Sequence, residues 1–289
     1  MKDNKKICCV GAGNMGQQIA LQCAMNGFEV QLYSRKKSSL ENASSKIKGF
    51  TQKLISLNLL KENDIKTVLE RINYTDDSVA AAADAYILIE SIPENLEAKR
   101  SVFKLFEPLC PADTIMATNS SSIIPSKIAD VLKLPEKFLA LHFHTYVWEM
   151  NIVDIMPHPT TNKKTVDQTK LFALSIKQVP ILMKKESPGF IFTALLSSLN
   201  NTSLSLVRED VATHNEIDKA WRAAMKMPIG PFAIMDYIGL DTLKDVCTYW
   251  AETTGDEEVL KNVDFLNTYV EKGHLGIKSG KGFYNYTKD

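Results

Sequence analysis

The sequence lacks a long hydrophobic run, an excess charge of either sign and a rich set of cysteines. No apolar stretch reaches the roughly 20 residues that a membrane-spanning helix needs, and the apolar run after the first lysines is too short for the core of a signal peptide. Its 34 Lys and Arg residues balance 34 Asp and Glu residues, so no overall field attracts nucleic acid or an anionic membrane. We therefore expect a soluble, cytoplasmic protein without a nucleic-acid or membrane partner.

Cysteine and histidine spacing also argues against a disulfide framework and a bound metal. The five cysteines are an odd number and include no C-x-x-C pair, which excludes the usual disulfide scaffold or structural zinc site. His144 and His158 are close in sequence, but no metal-ligand spacing links them to a cysteine or a carboxylate. The sequence therefore predicts no metal site.

What the sequence does contain is an alternation of short β-branched runs with longer helical patterns. Five runs are predicted to be strands, at residues 7–10, 30–33, 85–89, 114–118 and 138–142. Strands that alternate with helices imply right-handed crossovers and a largely parallel, doubly wound sheet. The lysine-rich segment 38–71 has no strand pattern, and we predict that it forms an inserted helical hairpin.

A glycine-rich turn directly follows the first predicted strand and opens a helix. Gly11 allows the tight turn, Gly13 lets a pyrophosphate approach the backbone, and Gly16 lets the helix pack closely on the strand. Asn14 and Met15 complete the motif at a helix N-terminus whose amide groups face phosphates. Because a strand precedes the motif and a helix follows it, the sequence predicts a dinucleotide site. The alternative is a glycine-rich turn in another doubly wound protein.

The end of the second predicted strand carries a hydroxyl and cations where sites for NAD usually carry a carboxylate. The run reads Ser34, Arg35, Lys36, Lys37. Arg35 can form a fork to a 2′-phosphate, and no carboxylate is present to repel that phosphate. The run favours NADP over NAD, and a solvated basic loop beside a bound NAD is the alternative.

The pattern changes at a charged run that ends in Pro188 and Gly189. Beyond it helical periodicity dominates, as in Leu195, Leu199 and Leu206. A Pro-Gly pair is typical of a boundary, and 289 residues are enough for two domains. We predict a Rossmann-type NAD(P)-binding domain over residues 1–186 and an all-helical domain over residues 187–289.

Polar side chains follow the later predicted strands, at the edge where ligands bind in open α/β sheets. The run 119–122 follows one strand, His142 ends the next, and Asp154 lies twelve positions further on. A histidine can exchange a proton near neutral pH, and a carboxylate can fix its tautomer. A histidine at a strand end is more often structural when taken alone. The serines of that run and the upstream glycine motif favour a catalytic role for this one.

Motifs along nearly the whole chain resemble those of the 3-hydroxyacyl-CoA dehydrogenase family. They are residues 11–16, 90–99, 118–122, 138–143, 187–190, 228–232, 236–241 and 280–284. The resemblance implies reversible hydride transfer between a nicotinamide cofactor, with NAD as the family default, and C3 of a 3-hydroxy or 3-keto substrate. By default that substrate is a short acyl-CoA such as 3-hydroxybutyryl-CoA. The resemblance also implies fatty acid metabolism and a homodimer formed through the helical domain.

The resemblance implies a role for individual residues of this chain. His142 matches the catalytic acid/base, and Asp154 stands where the family has the glutamate that orients this histidine. Ser121 matches the serine that hydrogen-bonds the substrate oxygen near the nicotinamide. Glu94 and Lys99 match residues on the nicotinamide-ribose side of the cofactor.

Besides Asp154, three positions depart from the family pattern. Thr145 replaces an asparagine that contacts the cofactor or substrate, Thr193 replaces an asparagine that reaches the substrate carbonyl, and Ala194 replaces an arginine. Thr193 keeps a hydroxyl that can still form a weaker hydrogen bond. We assign Asn119 and Thr145 to the cofactor and Thr193 to the substrate.

Two alternatives to an acyl-CoA dehydrogenase stay open. Residues 138–143 with Val147 and Trp148 are similar to a branch that reduces diketo esters, and the hairpin lysines do not register with the family's CoA-contacting positions. Those lysines are Lys46, Lys48 and Lys53. A reductase of non-CoA keto acids or diketo esters is therefore one alternative. Because family positions are substituted, a catalytically silent cofactor-binding or structural paralogue is the other.

Overall fold

The computed structural model of this chain describes residues 5–287, apart from the side chains of residues 253 and 254. The chain forms two compact units, one that ends at Ile191 and one that begins at Phe192. Among the described residues, no helix is both long and apolar enough to cross a bilayer.

The first unit is built on one sheet of eight strands. The strands are β1 (Lys6–Val10), β2 (Glu29–Tyr33), β3 (Ile72–Thr75), β4 (Ala85–Glu90), β5 (Ile115–Thr118), β6 (Phe138–Phe143), β7 (Ile152–Pro157) and β8 (Val179–Leu182). Their order is β3-β2-β1-β4-β5-β6-β7-β8, and every neighbouring pair is parallel except β6 with β7. The predicted doubly wound sheet is confirmed. Its strand order reverses between β1 and β4, where ligands bind in open sheets.

Seven α-helices connect these strands. They are α1 (Asn14–Met25), α2 (Lys37–Ser56), α3 (Ile65–Glu70), α4 (Ser78–Ala82), α5 (Leu96–Phe106), α6 (Ser126–Ala129) and α7 (Lys163–Ser175), with short 3₁₀ turns at Glu62–Asp64, Glu107–Leu109 and Pro135–Lys137. The long α2 and the short α3 form the helical hairpin predicted over 38–71. The buried side chains of α2 recur every three or four residues, as the single apolar stripe of a surface helix requires.

Both faces of the sheet are covered, which explains why its strands are continuous apolar runs. Ile7 and Cys9 of β1 belong to the core on one face, and Cys8 and Val10 belong to the core on the other. These four side chains are almost completely buried. The cysteines therefore serve as small core residues, and all five cysteines of the chain are free thiols.

The second unit is helical, as predicted. Its helices are α8 (Ile191–Arg208, which begins at the last residue of the first unit), α9 (His214–Met225), α10 (Pro231–Ile238), α11 (Leu240–Thr254) and α12 (Glu257–Val270), followed by a 3₁₀ turn at Ile277–Ser279. Asp236 on α10 accepts hydrogen bonds from the backbone N–H groups of Phe283 and Tyr284 and from the hydroxyl of Tyr286. The glycine-rich tail is therefore ordered by a buried carboxylate.

Candidate active site

The glycine motif forms a tight connection between β1 and α1. Gly11 has a φ of +111°, and a Cβ on it would lie 2.7 Å from the carbonyl oxygen of Ser91. A Cβ on Gly16 would collide with the carbonyl oxygen of Gly11, whereas a Cβ on Gly13 would meet no atom within 4 Å. Two glycines are therefore required by close backbone contacts, and the third leaves open space in front of the helix.

A cavity of about 920 Å³ lies against this turn, at the carboxyl ends of β1, β2 and β4. Gly13 caps α1, and within residues 5–287 no side chain hydrogen-bonds to the amide groups of the first turn of this helix. Such amides and the helix dipole favour an anionic ligand. The volume is in the range of small-molecule sites. The cavity therefore fits the phosphates and adenosine of a dinucleotide cofactor.

The basic run at the end of β2 lines the same cavity. Ser34 is half-buried, and Arg35 and Lys36 are exposed along the cavity wall. Lys37 lies outside the lining, 3.8 Å from Asp76. Among the described residues, no carboxylate lines this cavity. The described part of the cavity wall at the end of β2 therefore carries two cations and a hydroxyl.

His142 and Asp154 form a buried pair on adjacent antiparallel strands. The register of β6 and β7 places the two residues directly opposite each other. Nδ1 of His142 lies 3.3 Å from Oδ2 of Asp154. Because an ionised carboxylate can only accept, Nδ1–H is the donor, and Nε2 keeps its lone pair. The two residues predicted as acid/base and orienting carboxylate are thus brought together.

Two further side chains contact this pair and were not predicted. Nε2 of His144 lies 3.0 Å from the same Oδ2 of Asp154, so one oxygen serves two imidazoles. The ring of Phe190 stacks on His142 with a centroid distance of 4.5 Å and an interplanar angle of 20°. The strand period of two could have placed His144 on the face of His142. No local sequence signal could have placed Phe190 there.

Burial sets the protonation state of the pair. It lowers the pKa of His142, because the imidazolium loses its solvation, and the hydrogen bond to Asp154 opposes this shift without cancelling it. Burial would raise the pKa of Asp154, but the hydrogen bonds from His142 and His144 hold it below its usual value. At neutral pH the pair is therefore a neutral imidazole beside a carboxylate, which is a base ready to accept a proton.

Glu94 joins the loop after β4 to the serine run after β5. Its Oε1 accepts hydrogen bonds from the hydroxyls of Ser120 and Ser122 and from the backbone N–H of Ser122. Burial would raise the pKa of Glu94, but the bond from Ser120, the charge of Lys99 and the bonds from Ser122 hold it at about 2. Ser121 lies between these anchored neighbours in the chain and is exposed, and its hydroxyl makes no hydrogen bond within residues 5–287.

Lys99 is buried below this loop, with a side chain that is 1% exposed. Its Nζ lies 2.8 Å from Oε1 of Glu90 and 3.3 Å from Oε2 of Glu94. Thr118 donates to the other oxygen of Glu90 at 2.7 Å. Asn119 accepts the backbone N–H of Phe143 through Oδ1 at 2.8 Å. Charge and hydrogen bonds therefore hold the carboxyl ends of β4, β5 and β6 in register.

The loop after β6 packs on the first turns of α1. The Thr145 hydroxyl lies 3.7 Å from the sulfur of Met15. Tyr146, with a left-handed φ of 60°, donates its backbone N–H to Oε1 of the buried Gln18, as does Val147 at a longer distance. Gln18 was not predicted, although a glutamine one turn after a glycine motif on a buried helix face is a signal for such a contact.

The hairpin contacts the same loop. Nζ of Lys53 lies 2.6 Å from Oε1 of Glu149 and 4.2 Å above the ring of Tyr146, and Phe50 packs on Trp148 at a centroid distance of 5.2 Å. Lys46 and Lys48 are exposed.

The second unit holds the last predicted site residue. Thr193 is half-buried on α8, and its neighbour Ala194 is exposed.

Two family models cover almost the whole chain. Residues 6–187 match the NAD binding domain of 3-hydroxyacyl-CoA dehydrogenase, and residues 189–286 match the C-terminal domain of the same family. A probable 3-hydroxybutyryl-CoA dehydrogenase of Bacillus subtilis is 32% identical over 282 residues, which cover 98% of this chain and 97% of that protein. The 3-hydroxybutyryl-CoA dehydrogenase of Clostridioides difficile is 31% identical over 287 residues, covering 98% of this chain and 100% of that protein.

Solved structures show the same likeness. A diketoreductase that acts on dicarbonyl compounds superposes with a TM-score of 0.89 and 33% identity, covering 99% of this chain and 100% of its own. The (S)-3-hydroxybutyryl-CoA dehydrogenase of Ralstonia eutropha superposes with a TM-score of 0.87 and 28% identity, covering 99% and 100%.

Proposed function

This chain belongs to the 3-hydroxyacyl-CoA dehydrogenase family, and we propose that it is an NAD(P)-dependent oxidoreductase that interconverts a short 3-hydroxyacyl-CoA, such as 3-hydroxybutyryl-CoA, and the 3-ketoacyl-CoA. The observation that carries the proposal is the buried pair of His142 and Asp154 at the edge of the sheet that also holds the dinucleotide cavity. A neutral imidazole with a protonated Nδ1 is suited to accept a proton from a secondary alcohol.

The proposed chemistry divides between the cofactor and the protein. A bound nicotinamide would supply the hydride acceptor for C3 of the alcohol and, in the reverse direction, the hydride donor for the ketone. His142 takes the hydroxyl proton on Nε2 in oxidation and returns it in reduction, and Asp154 stabilises the imidazolium that forms. Ser121 donates its exposed hydroxyl to the substrate oxygen, and this donor stabilises negative charge that develops there. Thr193 is our candidate for a further hydrogen bond to the substrate.

Residues on the loops around His142 are proposed to hold the nicotinamide half of the cofactor. Glu94 has a pKa of about 2 and stays ionised at neutral pH, so its loop presents a fixed carboxylate with Lys99 below it. Asn119 and Thr145 lie on the loops that follow β5 and β6, at the same edge of the sheet. Asn14 and Met15 begin the helix whose amides face the pyrophosphate.

We propose NADP rather than NAD as the preferred cofactor. The carboxylate-free wall formed by Ser34, Arg35 and Lys36 supports this preference, because a guanidinium pairs with phosphate and a carboxylate would repel it. The alternative is NAD with a solvated basic loop, and the relative kcat/KM of NADPH and NADH decides between them.

A reductase of non-CoA dicarbonyl compounds is the second candidate function. The similarity to a diketoreductase supports it. So does the hairpin, since Lys53 pairs with Glu149 and Phe50 packs on Trp148. These contacts direct Lys53 toward the protein itself rather than toward the phosphates of a CoA substrate.

The test compares acetoacetyl-CoA with a non-CoA diketo ester, each with NADH and NADPH. The double charge reversal Lys46→Glu with Lys48→Glu, at two exposed lysines of the hairpin, raises the KM for acetoacetyl-CoA if these lysines hold its phosphates. Lys104→Glu on α5 is the matched control at an exposed position. A KM unchanged by the double reversal favours the diketo substrate. No turnover with either substrate supports a catalytically silent paralogue and contradicts both enzymatic proposals.

We also propose that the protein is a cytoplasmic homodimer that acts in fatty acid metabolism and dimerises through its helical unit. Leu195 on α8 is 67% exposed, and Ile191, one turn earlier, is also exposed. Exposed apolar faces of this kind mark interfaces. Leu195→Lys should shift the sedimentation coefficient to that of a monomer, whereas Val79→Lys, at an exposed valine of the first unit, should not. A monomeric wild-type protein would contradict the assembly.

A further inference from the structure

Three side chains of metal-binding chemistry converge where β6 and β7 pair. His142, His144 and Asp154 are all buried, and each offers a ligand atom within 4.8 Å of the other two. His144 and His158 are close in sequence but have no metal-ligand spacing to a carboxylate. The structure places His158 elsewhere, with Nε2 against the carbonyl oxygen of Pro135. The partner of His144 is the carboxylate ten positions further on.

Asp154 supplies a second, independent observation. Its side chain is completely buried, and Oδ1 has no hydrogen-bond partner among the described residues. A buried carboxylate oxygen without a partner is costly, and in native proteins such an atom is normally met by a donor, a water or an ion. The oxygen that faces the imidazoles is shared, and the other one is unused. A cation in this cluster would contact Oδ2, which faces both imidazoles, and the unpartnered Oδ1 leaves the carboxylate free to bind the same cation through both oxygens.

The spacing of the donor atoms is close to that of a zinc site. Zinc–ligand bonds of about 2.0–2.1 Å in a tetrahedron separate neighbouring ligand atoms by about 3.3 Å. Oδ2 of Asp154 lies 3.3 Å from Nδ1 of His142 and 3.0 Å from Nε2 of His144. Two edges of the ligand triangle thus already have this length. A set of two imidazoles and one carboxylate leaves a fourth position open, and imidazole selects zinc over magnesium or calcium.

We propose that His142, His144 and Asp154 form an inhibitory binding site for zinc or a similar divalent cation. The cation replaces the proton between Nδ1 of His142 and Asp154, so the imidazole loses the contact that orients it as a base. Binding of the cation needs only the three side chains, whereas the inhibition rests on the proposed function.

The test measures zinc binding and activity separately on protein freed of metal with EDTA. Calorimetric titration of the wild type should show one zinc per chain, with at least tenfold weaker binding to His144→Asn. Cobalt bound to the wild type should show the strong visible absorption of a four-coordinate site, and His144→Asn should lack it. His158→Asn, which removes a buried histidine outside the trio, is the matched control and should bind zinc as the wild type does. Binding of the reduced cofactor shows that each variant is folded.

Two results would overturn the site. They are a wild type that binds no zinc, and a zinc affinity that is equal in the wild type and His144→Asn. If His144→Asn does not fold, Asp154→Asn tests whether loss of one of the three ligands weakens zinc binding. An active enzyme that binds no zinc contradicts only this inference. An inactive protein that binds zinc through His144 contradicts only the proposed function. In an active enzyme, micromolar zinc should abolish turnover and EDTA should restore it.

Discussion

The buried side-chain oxygen of Gln18 accepts the backbone N–H of Tyr146 at 2.7 Å, which joins the cofactor-facing helix α1 to the loop after the proposed catalytic strand. The same oxygen accepts the N–H of Val147, and the amide nitrogen of Gln18 donates to Asn14 at 3.1 Å. Because Tyr146 has a left-handed φ, this loop depends on contacts that hold it.

Gln18→Leu should therefore weaken both stability and catalysis. The substitution leaves two backbone N–H groups of a packed loop unpaired. Each unpaired N–H group lowers the free energy of unfolding by up to about 3 kcal/mol. We expect a fall of the free energy of unfolding by about 2 kcal/mol in urea and a fall in kcat. Gln52→Leu, at an exposed position of α2, is the matched control. If Gln18→Leu is as stable and active as this control, the loop does not depend on Gln18.

Asp154→Asn should lower kcat by a factor on the order of 10²–10⁴. An amide oxygen accepts the hydrogen bond from Nδ1–H of His142 less strongly than a carboxylate does, and it carries no charge to stabilise the imidazolium. The KM of the cofactor should change little, since neither residue lines the cavity at the glycine turn. Asp154→Glu restores the family's residue and should keep more activity than Asp154→Asn. Equal activity of the two variants would show that the negative charge is not what His142 needs.

The kcat/KM for oxidation of a 3-hydroxy substrate should stay high at mildly acidic pH. Burial places the pKa of His142 below its ordinary value of about 6.5, although Asp154 and Glu94 oppose the shift and His144 adds to it. The neutral form that accepts the proton is therefore populated below pH 6.5, and kcat/KM should begin to fall only as the pH drops through the lowered pKa. The profile is measured with EDTA present. An acid limb centred above pH 7 would contradict this environment for His142.

Ser34→Asp should move the cofactor preference toward NADH. A carboxylate on the cavity wall repels a 2′-phosphate and can accept hydrogen bonds from a ribose. One tenfold change in relative kcat/KM corresponds to about 1.4 kcal/mol, and we expect a shift of at least that order. Ser38→Asp adds the same charge outside the cavity lining and should leave the preference unchanged. Undiminished use of NADPH by Ser34→Asp would refute the proposed role of this wall.

The sequence was sufficient for the elements whose pattern is local. Five strands, the helical hairpin and the glycine turn could be predicted from apolar runs and from the turn-forming residues that separate them in the sequence. Three strands were not predicted, and each has a physical reason. The short β3 lies at the edge of the sheet, β7 has Asp154 in the middle of its apolar run, and β8 is an exposed edge strand that contains Pro180, as edge strands tolerate.

In the site, too, local motifs predicted single residues, whereas the contacts between these residues depend on parts of the chain that are distant in sequence. Motifs identified His142 and Asp154, but their contact depends on the register of an antiparallel pair that no motif encodes. The second imidazole on Asp154 depends on that register as well. The stacking of Phe190 on His142 joins residues 48 positions apart, and only the folded chain shows it.

The central claim is that the imidazole of residue 142 is the acid/base, and His142→Gln tests it most directly. The variant is assayed for reduced-cofactor binding by fluorescence and for turnover of acetoacetyl-CoA and a diketo ester by nicotinamide absorbance. We predict cofactor affinity within about twofold of the wild type, since the cavity does not include residue 142, and a loss of kcat by a factor on the order of 10²–10⁴. Turnover at the wild-type rate would contradict the account.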